Sequence, residues 1–242
     1  AHGQIYYLSV RATDIAGNVS DVMTGDGITI DLTAPSNGSI IDGTEEDIAF
    51  TRSDTTLVAE WSGFADDLSG IAGYEIAVND GVIYPWTWVG DVNSHIITGL
   101  DLEHAAAYTM HLRAQDIAGN VSAGISTDGV TVDTEPPSST LDILSDYYNE
   151  AGLIADTPIQ GTTSDEHSGT ILVEISIQNL DNSTYYTGFG WVDDEQWVIA
   201  EGTTSWSYNL AASQLNDGVS YMVRPRGTDA VGNVEASYDD DS

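Results

Sequence analysis

The chain of 242 residues contains no cysteine, and its five basic side chains are all arginine, so lysine is absent as well. Without cysteine no disulfide can staple the fold. Without lysine there is no Schiff-base amine, no phosphate-loop lysine and no Lys–Asn isopeptide cross-link. No run of 18 apolar residues occurs, so the sequence offers no membrane-spanning helix. Positive charge is scarce: five arginines face 39 acidic residues, a formal net charge of −34. Such a chain repels nucleic-acid phosphates and anionic membranes and demands cations. A solvated surface suited to a salty medium accounts for part of that charge without any ligand. The hydrophobic share, 41%, is nevertheless ordinary. The chain can bury cores and is no disordered acidic tail.

What the chain does have is one phrase written three times: RATDIAGNVS at 11–20, RAQDIAGNVS at 113–122 and RGTDAVGNVE at 226–235. The phrase carries no nucleophile and no catalytic pair, and repetition at long spacing points to tandem domains. Asp14 and Asp116 are 102 residues apart, and the match runs without a gap from His2/His104 to Ser36/Ser138. Asp116 and Asp229 are 113 apart. A period of about 100 residues suits an immunoglobulin-like sandwich and is far too long for a solenoid turn. The expected division is therefore the last part of one repeat in 1–35, a complete repeat in 36–137 and a nearly complete variant in 138–242. Ser242 falls opposite Gly129, just before VTVD, which leaves the third copy without its closing strand. Two completions are open: the remainder of a longer chain, or a strand added by a neighbouring chain, as in donor-strand filaments.

The segments read as β throughout. IYYLSV (5–10), GITID (27–31), TTLVAEW (55–61), GYEIAV (73–78), YTMHLRA (108–114) and GVTVD (129–133) alternate or run apolar over short spans. ILVEISI (171–177), WVIAEG (197–202), TSWSYNL (204–210) and SYMVRPR (220–226) do the same in the third copy. Gly, Asn, Asp and Ser cluster between them, as turns require. LEHAAAY (102–108) looks helical, but it is short and its counterpart AHGQIY argues for a loop entering a strand. Pro35, Pro136 and Pro137 mark the joins, where proline makes semi-rigid spacers. The fold class expected is all-β: tandem sandwiches in an elongated array.

ADDLSGIAGYEIAV, YTMHLRAQDIAGNVS and VTVDTEPP together resemble the fibronectin type III-like and bacterial immunoglobulin-like repeats of large prokaryotic surface proteins and adhesins. The third copy, with TGFGWVDDEQW and LNDGVSYMVRPRGTDAVGN, resembles a neighbouring variety of the same modules. Modules of this kind serve as spacers, adhesive tips and enzyme appendages alike, so the resemblance speaks to architecture more than to role.

A second acidic phrase recurs: FADDLSGIAGYE (64–75) lies over TSDEHSGTILVE (163–174) at an offset of 99. The resemblance implies that this loop and the D-x-x-G-N loop share one pole of a sandwich, where the preceding linker also arrives. Asp31, Asp66, Asp67, Asp116 and Asn120 would then converge at one junction, and Asp133, Asp165, Glu166, Asp229 and Asn233 at the next. Several oxygens at one place suit calcium, which takes 6–8 of them. The competing reading is that these Asp and Asn residues simply cap turns, with Gly17 and Gly119 supplying positive φ. No contiguous EF-hand loop is present, and the five histidines lack metal-ligand spacing.

These features point to a non-enzymatic extracellular spacer of a cell-surface adhesin or filament, stiffened by calcium. Its expected partners are neighbouring repeats of the same chain, with other copies in a filament or surface glycans as further possibilities. Neither nucleic acid nor membrane insertion is expected. Two alternatives stand beside it. Trp86, Trp88, Trp191, Trp197 and Trp206 could form a sugar-stacking face, most of all on the third copy. Or the repeats are accessory modules of a secreted hydrolase.

Overall fold

The computed structural model describes residues 1–142 and 159–236. Packing divides the chain into two compact units: 1–49, 55–101 and 107–130 in the first, and 50–54, 102–106 and 131 onward in the second. Among the described residues there is no α-helix, only two single-turn 3-10 segments, Asn79–Gly81 and Ala212–Gln214.

The first unit contains two antiparallel sheets. One has three strands, Ser94–Thr98, Thr56–Ser62 and Ser39–Asp42, in that spatial order. The other has four: Ile125–Ser126, Met110–Asp116, Ile71–Val78 and Tyr84–Gly90. Alternation along the chain sets the inner faces. In Thr56–Ser62 every second residue is buried, so Leu57, Ala59 and Trp61 point inward; in Met110–Asp116 the same holds for Met110, Leu112 and Ala114. Ile71–Val78, central in its sheet, buries Tyr74, Ile76, Ala77 and Val78. Trp61 of one sheet meets Tyr74 of the other edge to face, with ring centroids 5.4 Å apart. Sheets of three and four antiparallel strands packed over one core make an immunoglobulin/fibronectin type III-like sandwich.

The second unit repeats the plan. Ser138–Ser139, Ile159–Ser164 and Ser205–Tyr208 form one sheet. In the other, the ten-residue strand Thr170–Asn179 pairs with Tyr221–Asp229 on one side and with Thr184–Tyr186 and Val198–Ile199 on the other. Ile159, Val173, Ile175, Ile177, Tyr186, Ala200, Trp206 and Leu210 form its core. The question of a missing closing strand falls on residues 237–242, outside the described residues.

Several strands carry no clear signal in the sequence. Tyr84–Gly90 contains Pro85 and pairs irregularly; an edge strand, as this is, tolerates a residue without an N–H. Ile159–Ser164, IQGTTS, has one large apolar residue, and its inward positions are filled by Ile159, Gly161 and Thr163.

Residues 1–35 form two short ladders, Ile5–Tyr6 with Ile28–Thr29 and Ser9–Val10 with Met23–Thr24. Here the 102-residue repeat makes a controlled comparison. Tyr6, Leu8 and Val10 are 55%, 74% and 59% exposed, whereas their counterparts Tyr108, Met110 and Leu112 are 5%, 0% and 0% exposed. The sequence pattern is the same in both copies; in the second, an opposing sheet covers it. Leu112→Ala should therefore destabilise the first unit by about 2–5 kcal/mol, which urea denaturation measures.

Candidate metal centres and linker clasps

The recurrent D-x-x-G-N phrase closes one loop three times over. Asp116 Oδ1 accepts the Asn120 backbone N–H at 2.7 Å, and Asp116 Oδ2 accepts the Asn120 side-chain amide at 2.8 Å. Asp14 holds Asn18 in the same way at 2.8 and 2.8 Å, and Asp229 holds Asn233 at 2.8 and 2.7 Å. Gly119, at φ 92°, supplies the left-handed residue that lets the loop close. The Asp, the Gly and the Asn are fixed because each fills one position of this turn.

In the second and third copies the turn also grips the chain that enters it. Asn120 Nδ2 donates to the Asp31 carbonyl at 3.4 Å, and Asn233 Nδ2 donates to the Asp133 and Glu135 carbonyls at 2.9 and 3.3 Å. The linker aspartates reach back. Asp31 Oδ2 accepts the Ser69 N–H at 3.1 Å, and Asp133 Oδ2 accepts the Ser168 N–H at 3.0 Å. Asp66 Oδ1 closes its own loop by accepting the N–H groups of Ser69 and Gly70, both at 2.8 Å; Asp165 Oδ1 does so with His167 and Gly169 at 3.2 and 2.6 Å. Linker, first acidic loop and second acidic loop are thus knotted together by N–H···O bonds.

The structure brings one oxygen each of Asp31, Asp66 and Asp116 within 4.8 Å of one another, and likewise Asp133, Asp165 and Asp229. Asp67 and Glu166 are exposed and belong to neither group. Asn120 and Asn233 turn their NH2 groups toward the carboxylates, so they stand as donors in the clasp. Two ligands of one calcium ion at about 2.4 Å can be at most about 4.8 Å apart, so each trio is spaced to share an ion and would supply three of its 6–8 oxygens. The same oxygens already receive hydrogen bonds, which partly offsets the repulsion of three clustered acids. The hydrogen bond from Ser69 holds the Asp31 carboxyl below the usual range, and the Gly70 N–H does the same for Asp66. Asp14 is lowered by its Asn18 side-chain bond.

Two histidines belong to the clasp although they fit no metal-ligand spacing. His2 Nδ1 accepts the Leu32 N–H at 3.3 Å, and His104 Nδ1 accepts the Thr134 N–H at 3.1 Å. Their equivalence across the repeat was the signal available in the sequence. A second recurrent device involves arginine. Arg113 bonds Glu75 at 2.6 Å and stacks 4.4 Å over Trp86, while Arg226 bonds Glu174 at 2.9 Å and stacks 4.0 Å over Trp197. The tryptophans of the third copy are otherwise occupied as well. Trp206 is core, and Trp191 packs against Tyr186 and Tyr221 and donates to the Gln214 carbonyl. Trp88 is 47% exposed.

No protein-family model matches the chain. Among curated proteins it is similar to exoglucanase B of Cellulomonas fimi, with 35% identity over 136 residues, which is 53% of this chain and 11% of that enzyme. Exoglucanase A of the same organism is 34% identical over 48% of this chain and 13% of its own length. Chitinase A1 of Niallia circulans is 30% identical over 54% of this chain and 18% of its own length. The chain therefore matches only a small part of each relative. Among solved structures it is similar to a segment of titin, at 14% identity and a TM-score of 0.44 over 96% of this chain and 71% of that one. The FN1-FN3 domains of chicken CNTN1 give 14% identity and a TM-score of 0.34 over 96% of this chain and 77% of that one. These last two are likenesses of fold alone.

Asp116→Asn should set an NH2 against one of the two N–H donors of Asn120, its backbone or its side chain, in a buried site and destabilise the first unit by about 1.5–3 kcal/mol. Asp14→Asn, in the exposed copy, should cost clearly less. Thermal melts of both variants check this. Because the folded-state carboxyls of Asp31 and Asp66 titrate below their unfolded values, their contribution is full above the unfolded value of about 4 and is lost as pH falls through the folded ones. The melting midpoint should fall with pH below about 4, and Asp66→Asn should flatten that part of the profile.

Proposed function

We propose that the chain is a non-catalytic run of fibronectin type III-like modules in an extracellular polysaccharide-degrading protein, where it spaces and orients the parts that bind and cut. The observation that supports this reading is the identity of the relatives. Two exoglucanases, an endoglucanase and a chitinase carry similar segments, and the match takes in only 11% to 18% of each. A segment common to enzymes with different substrates and modes of cleavage is poorly placed to determine either. The spacer of a surface adhesin or filament remains a second reading. Tandem modules and strong acidity favour it equally, but the hydrolase relatives do not. The engagement of Trp191, Trp197 and Trp206 in packing and stacking gives little support to sugar binding on the third copy.

The clasps suit a spacer. Each fixes the entering linker by bonds at both its backbone and its aspartate, so bending there must break several hydrogen bonds at once. Calcium shared by Asp31, Asp66 and Asp116, and by Asp133, Asp165 and Asp229, would stiffen the clasps further by neutralising clustered carboxylates.

Incubated with amorphous cellulose or colloidal chitin, the chain should release no reducing sugar and should stay in the supernatant. Sugar release would overturn the non-catalytic reading, and retention on the polymer would make it a carbohydrate-binding module. At fixed ionic strength, calcium at about 100 times its dissociation constant should stabilise the fold by roughly 2.7 kcal/mol per site relative to chelator. Superimposable melts with and without calcium would remove calcium from the clasps.

A further inference from the structure

We propose that Asp42, Asp47 and Asp128 form a separate binding site for one oxygen-preferring divalent cation, of which calcium is the type. One oxygen from each lies within 4.8 Å of the other two, the spacing that a shared ion allows. What distinguishes this group from the clasps is Asp42. It ends the strand Ser39–Asp42, is 0% exposed, and its Oδ1 is buried without any hydrogen-bond partner. The rest of the carboxyl is held: Oδ2 accepts the Gly129 N–H at 3.1 Å, and the Thr127 side chain also hydrogen-bonds the group. In the clasps the converging carboxylates are met by N–H donors; here one buried oxygen is met by none.

A buried carboxylate oxygen without a donor is retained only if something positive reaches it. No positive side chain acts on it: the charges that reach Asp42 are those of Asp47 and Asp128, and Arg52 donates to the Gly232 carbonyl. The chain has no lysine, and Arg113, Arg224 and Arg226 pair with Glu75, Glu195 and Glu174. The other two members of the group are oriented to help. Asp47 is anchored by accepting the Asp42 N–H at 2.9 Å through Oδ1, and both Asp47 and Asp128 are exposed, which gives an ion a way in. Burial, with the charges of Asp47 and Asp128 adding to it, pushes the Asp42 carboxyl up. The group therefore takes up either a cation or a proton, and only a cation draws on all three carboxylates. An exposed pair of acids beside a buried carboxyl with one unpartnered oxygen is a hard-cation site with water completing the shell.

The test is calcium titration of the whole chain by calorimetry, with amide exchange at Gly129 as a local readout. The Asp47→Asn/Asp128→Asn double variant changes only exposed side chains and should fold as the wild type does. It should bind one ion fewer per chain. Calcium should slow exchange of the Gly129 amide at least tenfold in the wild type and leave it unchanged in the double variant. Equal stoichiometry in both proteins, or Gly129 exchange indifferent to calcium in the wild type, would overturn the proposal. The outcome is independent of the clasps: an Asp66→Asn variant that loses clasp calcium should keep the calcium-dependent protection of Gly129.

Discussion

The bond pair between Asp116 and Asn120 is the interaction on which the rest of the first unit's pole depends. A buried carboxylate accepts both N–H groups of one asparagine, and the second hydrogen of that amide is left to reach the Asp31 carbonyl. The loop is thereby closed and the entering chain is caught by a single side chain. Replace the amide with any group lacking two donors, and either the loop or the linker is released. The third copy builds the same arrangement with tighter contacts, Asn233 bonding two linker carbonyls. Conservation of geometry between copies with different surroundings shows that the turn carries its own instructions.

Acidity constrains everything around that pair. With 39 acids and five arginines, the chain cannot neutralise its carboxylates by ion pairing. It uses backbone N–H groups instead, at Asp31, Asp66, Asp133 and Asp165; at Asp66 and Asp165 the loop presents several of them to one oxygen. Two of the five arginines, Arg113 and Arg226, are placed where one guanidinium serves twice, bonding a strand glutamate and covering a tryptophan face. Only one oxygen of Asp42, its buried Oδ1, is left without such a donor.

The relatives shift the functional reading from the adhesin that the resemblance of the repeats implied toward the alternative, the appendage of a hydrolase. Nothing in the residues alone could have made that distinction. Spacer modules look alike wherever they serve, because what is demanded of them is a stable sandwich and a fixed joint.

How much of this was legible beforehand follows from the range of each interaction. The all-β class, the repeat and the turn phrase could be read directly, since strand alternation and an Asp–Asn turn are local and survive in sequence order. The convergence of Asp31, Asp66 and Asp116 could be anticipated only through the resemblance, and the exclusion of Asp67 and Glu166 could not be, because one residue's step around a loop decides which side chain faces inward. Strands such as Tyr84–Gly90 and Ile159–Ser164 were hidden by proline, glycine and threonine, residues admitted there by an edge position or a close neighbour. Asp42, Asp47 and Asp128 sit 81 residues apart between the second and third members. The sequence by itself determined which segments could be strands and which loops could close; only the tertiary structure decided which carboxylates of those loops meet, Asp31 with Asp66 and Asp116 and Asp42 with Asp47 and Asp128, because convergence depends on what lies opposite in space, and that is not written in the strand.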